Sequence, residues 1–259
     1  NPYKDALLKA TQFVGYLSDP EDIMPDNSMG LNEIFELIRT TNDEYLKVQA
    51  KQDTLKKKRE KKEAKQRVIE PFRPLNGDLG AVMNYKYIAY RFGKLPAEQY
   101  QKLEKYLLHD LEAIFVKGEQ DDNFVYGAYF AAPAKVQKAD AVFRSLHFER
   151  IEIPSDYQGT PDEACRKLTQ EIFEIQKEMT DLDRQTEEML VKEAPKLVAA
   201  KKRLEELAHN FDVRKVAAKV KDKKEDYYIL CGWMAEDDVE KFMAETQNDD
   251  KVFVVVEDD

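Results

Sequence analysis

The sequence predicts an α+β chain in which two small ferredoxin-like α/β lobes are joined by a long antiparallel coiled coil, in the manner of a dumbbell. Three observations carry that expectation. A phrase is stated twice: Tyr85-Lys86-Tyr87-Ile88-Ala89-Tyr90-Arg91-Phe92-Gly93-Lys94-Leu95-Pro96 runs into Ala97 to Leu103, and Tyr227-Tyr228-Ile229-Leu230-Cys231-Gly232-Trp233-Met234-Ala235 runs into Glu236 to Phe242. Each copy reads as strand, glycine turn and acidic helix start. Two charged stretches space their apolar residues in alternating steps of three and four, the mark of a coiled-coil seam. The segment between those stretches has the β-α-β-β-α-β order of the ferredoxin-like motif.

Taken in order, Asp5 to Leu17 carries apolar residues at helical spacing, and Asp19-Pro20 and Pro25-Asp26-Asn27 break the pattern. We assign residues 1–20 as a helix of a lobe proximal to the chain termini. Residues 21–84 form the first coiled-coil arm. Its seam runs through Ile34, Phe35, Ile38, Thr41, Tyr45, Val48 and Leu55, fades across Lys56 to Arg67, and returns at Ile69, Phe72 and Leu75, where Pro71 and Pro74 end it.

The distal lobe spans 85–153. Its strands are expected at Tyr85–Phe92, Glu112–Lys117, Phe124–Ala131 and Glu149–Ile153, and its helices at Ala97–Leu108 and Ala134–Leu146. First and last strands are antiparallel neighbours in this topology, so the chain enters and leaves at one end and the two arms emerge side by side.

The second arm, 154–222, opens at Thr160-Pro161-Asp162-Glu163 with proline at the first helical position and acids in the first turn. Leu168, Ile172, Ile175, Met179, Leu182, Thr186 and Met189 mark its seam, and Leu197, Leu204 and Leu207 carry it past Pro195, which is expected to bend it. As helices the arms extend roughly 65 and 90 Å, and neither narrow stripe buries itself alone. Residues 223–259 offer strand, helix and strand, half of a second lobe, whose other half is expected to precede Asn1.

Composition narrows the function. Charged residues make up 36% of the 259 residues, as in long solvated helices, and the net charge of −10 opposes general nucleic-acid affinity. Cys165 and Cys231 have no disulfide or zinc spacing. His109, His147 and His209 are scattered, there is no glycine-rich phosphate loop, and no nucleophile pattern appears. No catalytic, cofactor or metal site is assigned.

The basic block Lys56 to Arg67 is the one local exception, and it admits two readings. One is a nucleic-acid or membrane-surface patch. The other is a solvated helix neutralised by acids around Glu171 to Glu188. Gly232-Trp233 is read as packing, with glycine supplying a turn.

Phe148-Glu149-Arg150-Ile151-Glu152-Ile153-Pro154, then Gly159-Thr160-Pro161-Asp162-Glu163, then a coiled coil closing on Cys231-Gly232-Trp233-Met234, resemble the cytoplasmic N-terminal domain of the stator subunit of V-type and A-type rotary ATPases, called subunit I or subunit a. Ala235 departs from the family's usual proline. The resemblance covers nearly the whole chain; independently of it, the repeated phrase marks Gly93, Pro96, Gly232 and Trp233, and the second arm's seam marks Pro195, as structural motif positions.

It implies a non-catalytic arm on the cytoplasmic face of a membrane, linking peripheral stalks to the ion-translocating domain and resisting rotor torque. Implied partners are the peripheral-stalk heterodimer of E and G type and, through the full-length protein, the membrane ring and the central-stalk socket subunit. No cofactor, no nucleic acid and no membrane insertion by this part are implied. Two other functions compete: a coiled-coil nucleic-acid-binding arm using residues 56–67, and an enzyme built on the ferredoxin-like lobe.

Overall fold

Two long helices organise the computed structural model, which describes residues 1–109, 111–221, 226–246, 249 and 251–256. Helix α1 spans Lys4–Gly15 and helix α2 spans Leu31–Ile69. At the start of α2 the Glu33 carboxylate accepts the Gly30 N–H at 2.7 Å, satisfying one of the donors that a helix start leaves unpaired. The 39 residues of α2 reach about 58 Å. A 3-10 turn at Glu70–Phe72, with Pro71 inside it, ends the run where the sequence placed its end.

A short helix α3 (Leu79–Met83) is capped by Asp78, whose carboxylate accepts the Ala81 N–H at 2.8 Å. Then follow β1 (Ala89–Pro96), α4 (Ala97–His109), β2 (Ala113–Gln120), β3 (Phe124–Ala131), α5 (Val136–Ser145) and β4 (Glu149–Arg150). Helix α6 runs unbroken from Pro161 to Val216, 56 residues or about 84 Å, with Pro195 inside it. A reciprocal capping box starts it: the Glu163 N–H donates to the Thr160 hydroxyl at 3.2 Å, and the Thr160 N–H donates to the Glu163 carboxylate at 2.8 Å. Strands β5 (Ala218–Lys221) and β6 (Asp226–Ile229) and helix α7 (Glu236–Thr246) complete the order, and the fold class is α+β.

The chain divides into two units, Asn42–Met189 and a second made of Asn1–Thr41 with Leu190–Asp259. In the first, the sheet order is β2-β3-β1-β4 with every pair antiparallel, the ferredoxin-like arrangement expected from the element order. Both faces of this sheet are covered. Leu95, Val125, Tyr129 and Ala131 pack on one face with Leu103 of α4 and Ala139 and Phe143 of α5. On the other face, Phe92, Ala128, Tyr126 and Phe130 meet Ile69 at the end of α2, Phe72 and Leu75 just beyond it, and Ala164, Cys165 and Leu168 at the start of α6.

The second unit holds α1, the beginning of α2, the end of α6, the β5–β6 hairpin and α7. Ala10 and Phe13 of α1 and Ile34 and Ile38 of α2 are buried, as are Leu197, Ala200 and Leu204 of α6. Tyr3 stacks on Phe35 at 6.3 Å and meets the Phe211 ring edge-on at 6.2 Å.

Four expectations are corrected. The first strand begins at Ala89, four residues later than expected, because its register is set along its whole length by β3, from Ala89 opposite Ala131 to Pro96 opposite Phe124. The last strand of the lobe is two residues long, not five. Helix α6 stops at Val216, and part of what was read as arm, Ala218–Lys221, is a strand paired with β6. Val252 to Val256 is not a strand; its valines favour extended backbone, but a strand requires a ladder partner, and none pairs with it among the described residues.

Candidate functional site: the helix pair and its lobe

Within the Asn42–Met189 unit, α2 and α6 form an antiparallel pair, and most of their facing polar side chains are spent on that pairing. Leu55, Val48, Ile175, Met179 and Leu182 make the apolar seam. Around it, Lys51 pairs with Glu178 at 2.9 Å and Lys62 with Glu171 at 2.6 Å, while Arg73 reaches Asp162 at 2.7 Å. The Gln52 amide donates both to the Met179 carbonyl and to the Asp183 carboxylate, each at 2.8 Å, and Arg59 donates to Gln176 at 2.5 Å. Partner numbers on α6 fall as those on α2 rise, which is the antiparallel register.

The root of the pair is tied to the loop before α6. The Tyr157 hydroxyl donates to the Lys65 carbonyl at 2.8 Å, Lys65 pairs with Asp156, and the Leu79 N–H donates to the Gly159 carbonyl at 2.8 Å. Burial pushes the Tyr157 hydroxyl up to about 12, so it stays a donor over the whole neutral range. Gly159 has φ of +78°, a conformation that favours glycine, and it sits against the Glu163 carboxylate.

One charged cluster lies inside the lobe. Asp140 of α5 accepts from the buried Tyr129 hydroxyl at 2.5 Å and from Arg150 of β4 at 2.7 Å, with Arg91 of β1 at 3.7 Å. Burial pushes the Asp140 carboxyl up, but the Tyr129 hydrogen bond and the two arginines outweigh it and hold the group below the usual carboxylate range. Burial and Asp140 together raise the Tyr129 hydroxyl. The cluster ties α5 to three strands. Sequence reasoning missed it; an acid one position after Ala139 and three before Phe143, both on the buried face of an amphipathic helix, was the available signal.

The positions singled out from the sequence fall in different settings. Gly93 is inside β1 and is not a turn. A Cβ there would lie 2.2 Å from the Glu149 carbonyl oxygen and 2.5 Å from the Phe148 ring, so the residue is what admits β4 to the sheet. Pro96 closes β1. Pro195 lies within α6, and its carbonyl accepts the Asp26 N–H at 3.0 Å. Gly232 has nothing within 4 Å of where a Cβ would be, and Trp233 is 87% exposed, so the tryptophan does not play the packing role expected of it among the described residues.

His147, at φ of +59°, and His209 are exposed, and the His109 side chain lies outside the described residues. Among the described residues there is no His, Cys, Asp and Glu group suited to a metal, and no helix is long and apolar enough to cross a membrane. An open groove between α7 and residues 252–256 is lined by Val239, Met243, Val252, Phe253 and Val256.

The basic block divides in two. Lys62 pairs with Glu171 of α6, as a helix neutralised by acids around Glu171 to Glu188 requires, and Lys65 pairs instead with Asp156 in the loop before α6. Lys56, Lys57, Lys58, Lys61 and Arg67 are exposed, and none has an ion-pair or hydrogen-bond partner among the described residues.

No protein-family model and no curated protein matches the chain. Among solved structures it is similar to one described as the crystal structure of the cytoplasmic N-terminal domain of subunit I, homolog of subunit a, of V-ATPase, with a TM-score of 0.45 and 14% identity over 82% of this chain and 70% of that one.

Proposed function

We propose that this chain is a non-catalytic stator arm of a V-type or A-type rotary ATPase, docking a peripheral stalk and transmitting its resistance to rotor torque. The observation that carries the reading is the helix pair of the Asn42–Met189 unit, in which seam, ion pairs and root hydrogen bonds are all committed to holding two helices in one register. An arm that resists torque requires this, because a load along a hairpin tends to slide one helix past the other. The ordered motifs from Phe148 to Glu163 and from Cys231 to Met234 support the same assignment.

In this reading residues 1–20 and 223–259 belong to the proximal lobe, 21–84 and 154–222 are the arms, and 85–153 is the distal lobe. The helical heterodimer of E and G type is the stalk partner, and the arm works at the cytoplasmic face of the membrane. Ion transport, of protons or sodium, belongs to the membrane part of such a subunit and not to these residues.

The test is titration calorimetry of the purified chain with the stalk heterodimer from the same organism. Stoichiometric binding in the micromolar range, about −8 kcal/mol, is expected. A chain shown to be folded by circular dichroism that does not bind the heterodimer at tens of micromolar would sink the assignment.

A further inference from the structure

We infer that the outward face of α2 between Lys56 and Arg67 is a peripheral contact for an anionic phospholipid surface. The inference rests on this face alone and stands apart from the stator reading, since stalk binding and vesicle binding fail independently of one another.

Four lysines and one arginine occupy this stretch unpaired and exposed, while their neighbours Lys62 and Lys65 are used against Glu171 and Asp156. Lys57 and Lys61 stand one helical turn apart, and Lys58 lies beside Lys61, so the three form one ridge. Asp53 and Glu60 are the acids exposed on the same part of the helix, and the face stays net positive with both counted. In a chain of net charge −10 this is a local inversion of sign. The chain as a whole is repelled by an anionic bilayer and this ridge is attracted to it, so the ridge favours one side of the helix for approach.

The chemistry of the ridge selects the partner. Lysine is a compact, strongly hydrated point charge on a flexible stem, whereas paired recognition of a defined carboxylate or of nucleic acid favours the planar fork of arginine. Four of the five cations are lysine. Bases are held by stacking on aromatic rings, and there is no aromatic residue between Leu46 and Ile69. A docked protein helix requires an apolar seam, and the exposed residues of this face include only Ala64 as an apolar side chain. Hydrated charge without apolar anchors suits a fluid headgroup layer, approached without insertion, at roughly 1 kcal/mol per basic residue near the surface.

The experiment is co-sedimentation of the chain with vesicles of phosphatidylcholine alone and of phosphatidylcholine with roughly a third phosphatidylglycerol, at about 50 and about 200 mM salt. Binding to the anionic vesicles alone, weakened by salt and reduced about 100-fold by Lys57→Glu with Lys58→Glu and Lys61→Glu, is expected. A charge-matched variant, Lys102→Glu with Lys105→Glu and Lys202→Glu, is expected to retain most of the binding. Glutamate is a good helix former and the replaced lysines have no partners, so the ridge variant keeps the helix content seen by circular dichroism.

No binding of the parent chain at low salt overturns the inference. So does equal loss in both variants, which would make the attraction diffuse. Binding of duplex RNA in place of vesicles, lost in the ridge variant, would reassign the face to nucleic acid and overturn it as well.

Discussion

The two copies of the repeated phrase share a spacing and differ in what closes over them. In the first copy Leu95 and Leu103 are both 0% exposed; their counterparts in the second, Met234 and Phe242, are 48% and 41% exposed. The first copy has β3, α5 and β4 to cover it, and the second has only β5 beside its strand among the described residues. An apolar pattern states which face of an element is to be buried. Whether it is buried depends on the elements that arrive from elsewhere in the chain.

Substitutions at matched positions test that contrast. Leu103→Ala is expected to cost about 2–5 kcal/mol, as for other large-to-small changes in a core, and Phe242→Ala less than about 0.5 kcal/mol. Urea unfolding, with hydrogen exchange to localise the loss to β3 and α5, reads both. Equal losses would mean that the second copy has a core of its own.

The glycines give the next largest contrast. Gly93→Val drives a side chain into the Glu149 carbonyl and the Phe148 ring and is expected to cost about 1–3 kcal/mol or more, detaching β4 from the sheet. Gly232→Val meets nothing and is expected to leave the melting temperature unchanged. A tolerated Gly93→Val would show that β4 is not held where β1 now meets it.

The first lobe also has an electrostatic tie for which the second copy offers no counterpart. Asp140→Asn removes the charge that Tyr129, Arg91 and Arg150 share, for an expected loss of about 1–3 kcal/mol at neutral pH. The native carboxyl titrates below its usual range, so its contribution is full above the ordinary carboxylate pKa near 4 and fades as the pH falls through the lower folded value. Stability measured from pH 7 to pH 2 is therefore expected to fall less steeply below about pH 4 in the variant than in the parent. The smallest effect belongs to the partly exposed seam pairs. Lys62→Ala is expected to cost less than about 1 kcal/mol by thermal melting, and a larger loss would show that the seam depends on charge more than on Leu55, Ile175 and Leu182.

Much of the first lobe was legible in the sequence because its signals are local. Phe124–Ala131 is a strand with the bounds expected of it, Thr160-Pro161-Asp162-Glu163 opens a helix through its capping box, and the seam of threes and fours foretold the pairing of α2 with α6. What was misread depended on partners distant in the chain. The start of β1 is fixed by β3, the need for glycine at position 93 by β4, and the strand at Ala218–Lys221 by β6. The Asp140 cluster joins α5 to three strands, a juxtaposition no single window of sequence contains. Trp233 shows the converse: a large aromatic after a strand signals burial, but the signal carries no information about what would provide it.

The two cysteines give each unit its own reporter. Cys165 is buried at the root of the helix pair, and burial pushes its thiol up to about 12, so at neutral pH it is both shielded and protonated. Cys231 is exposed in the other unit, one residue before Gly232. A thiol reagent would mark the second at once and the first only when the lobe lets go of α6. The labelling rate of Cys165 is thus a clock for the opening of that lobe, and Cys231 in the same tube supplies its zero of time.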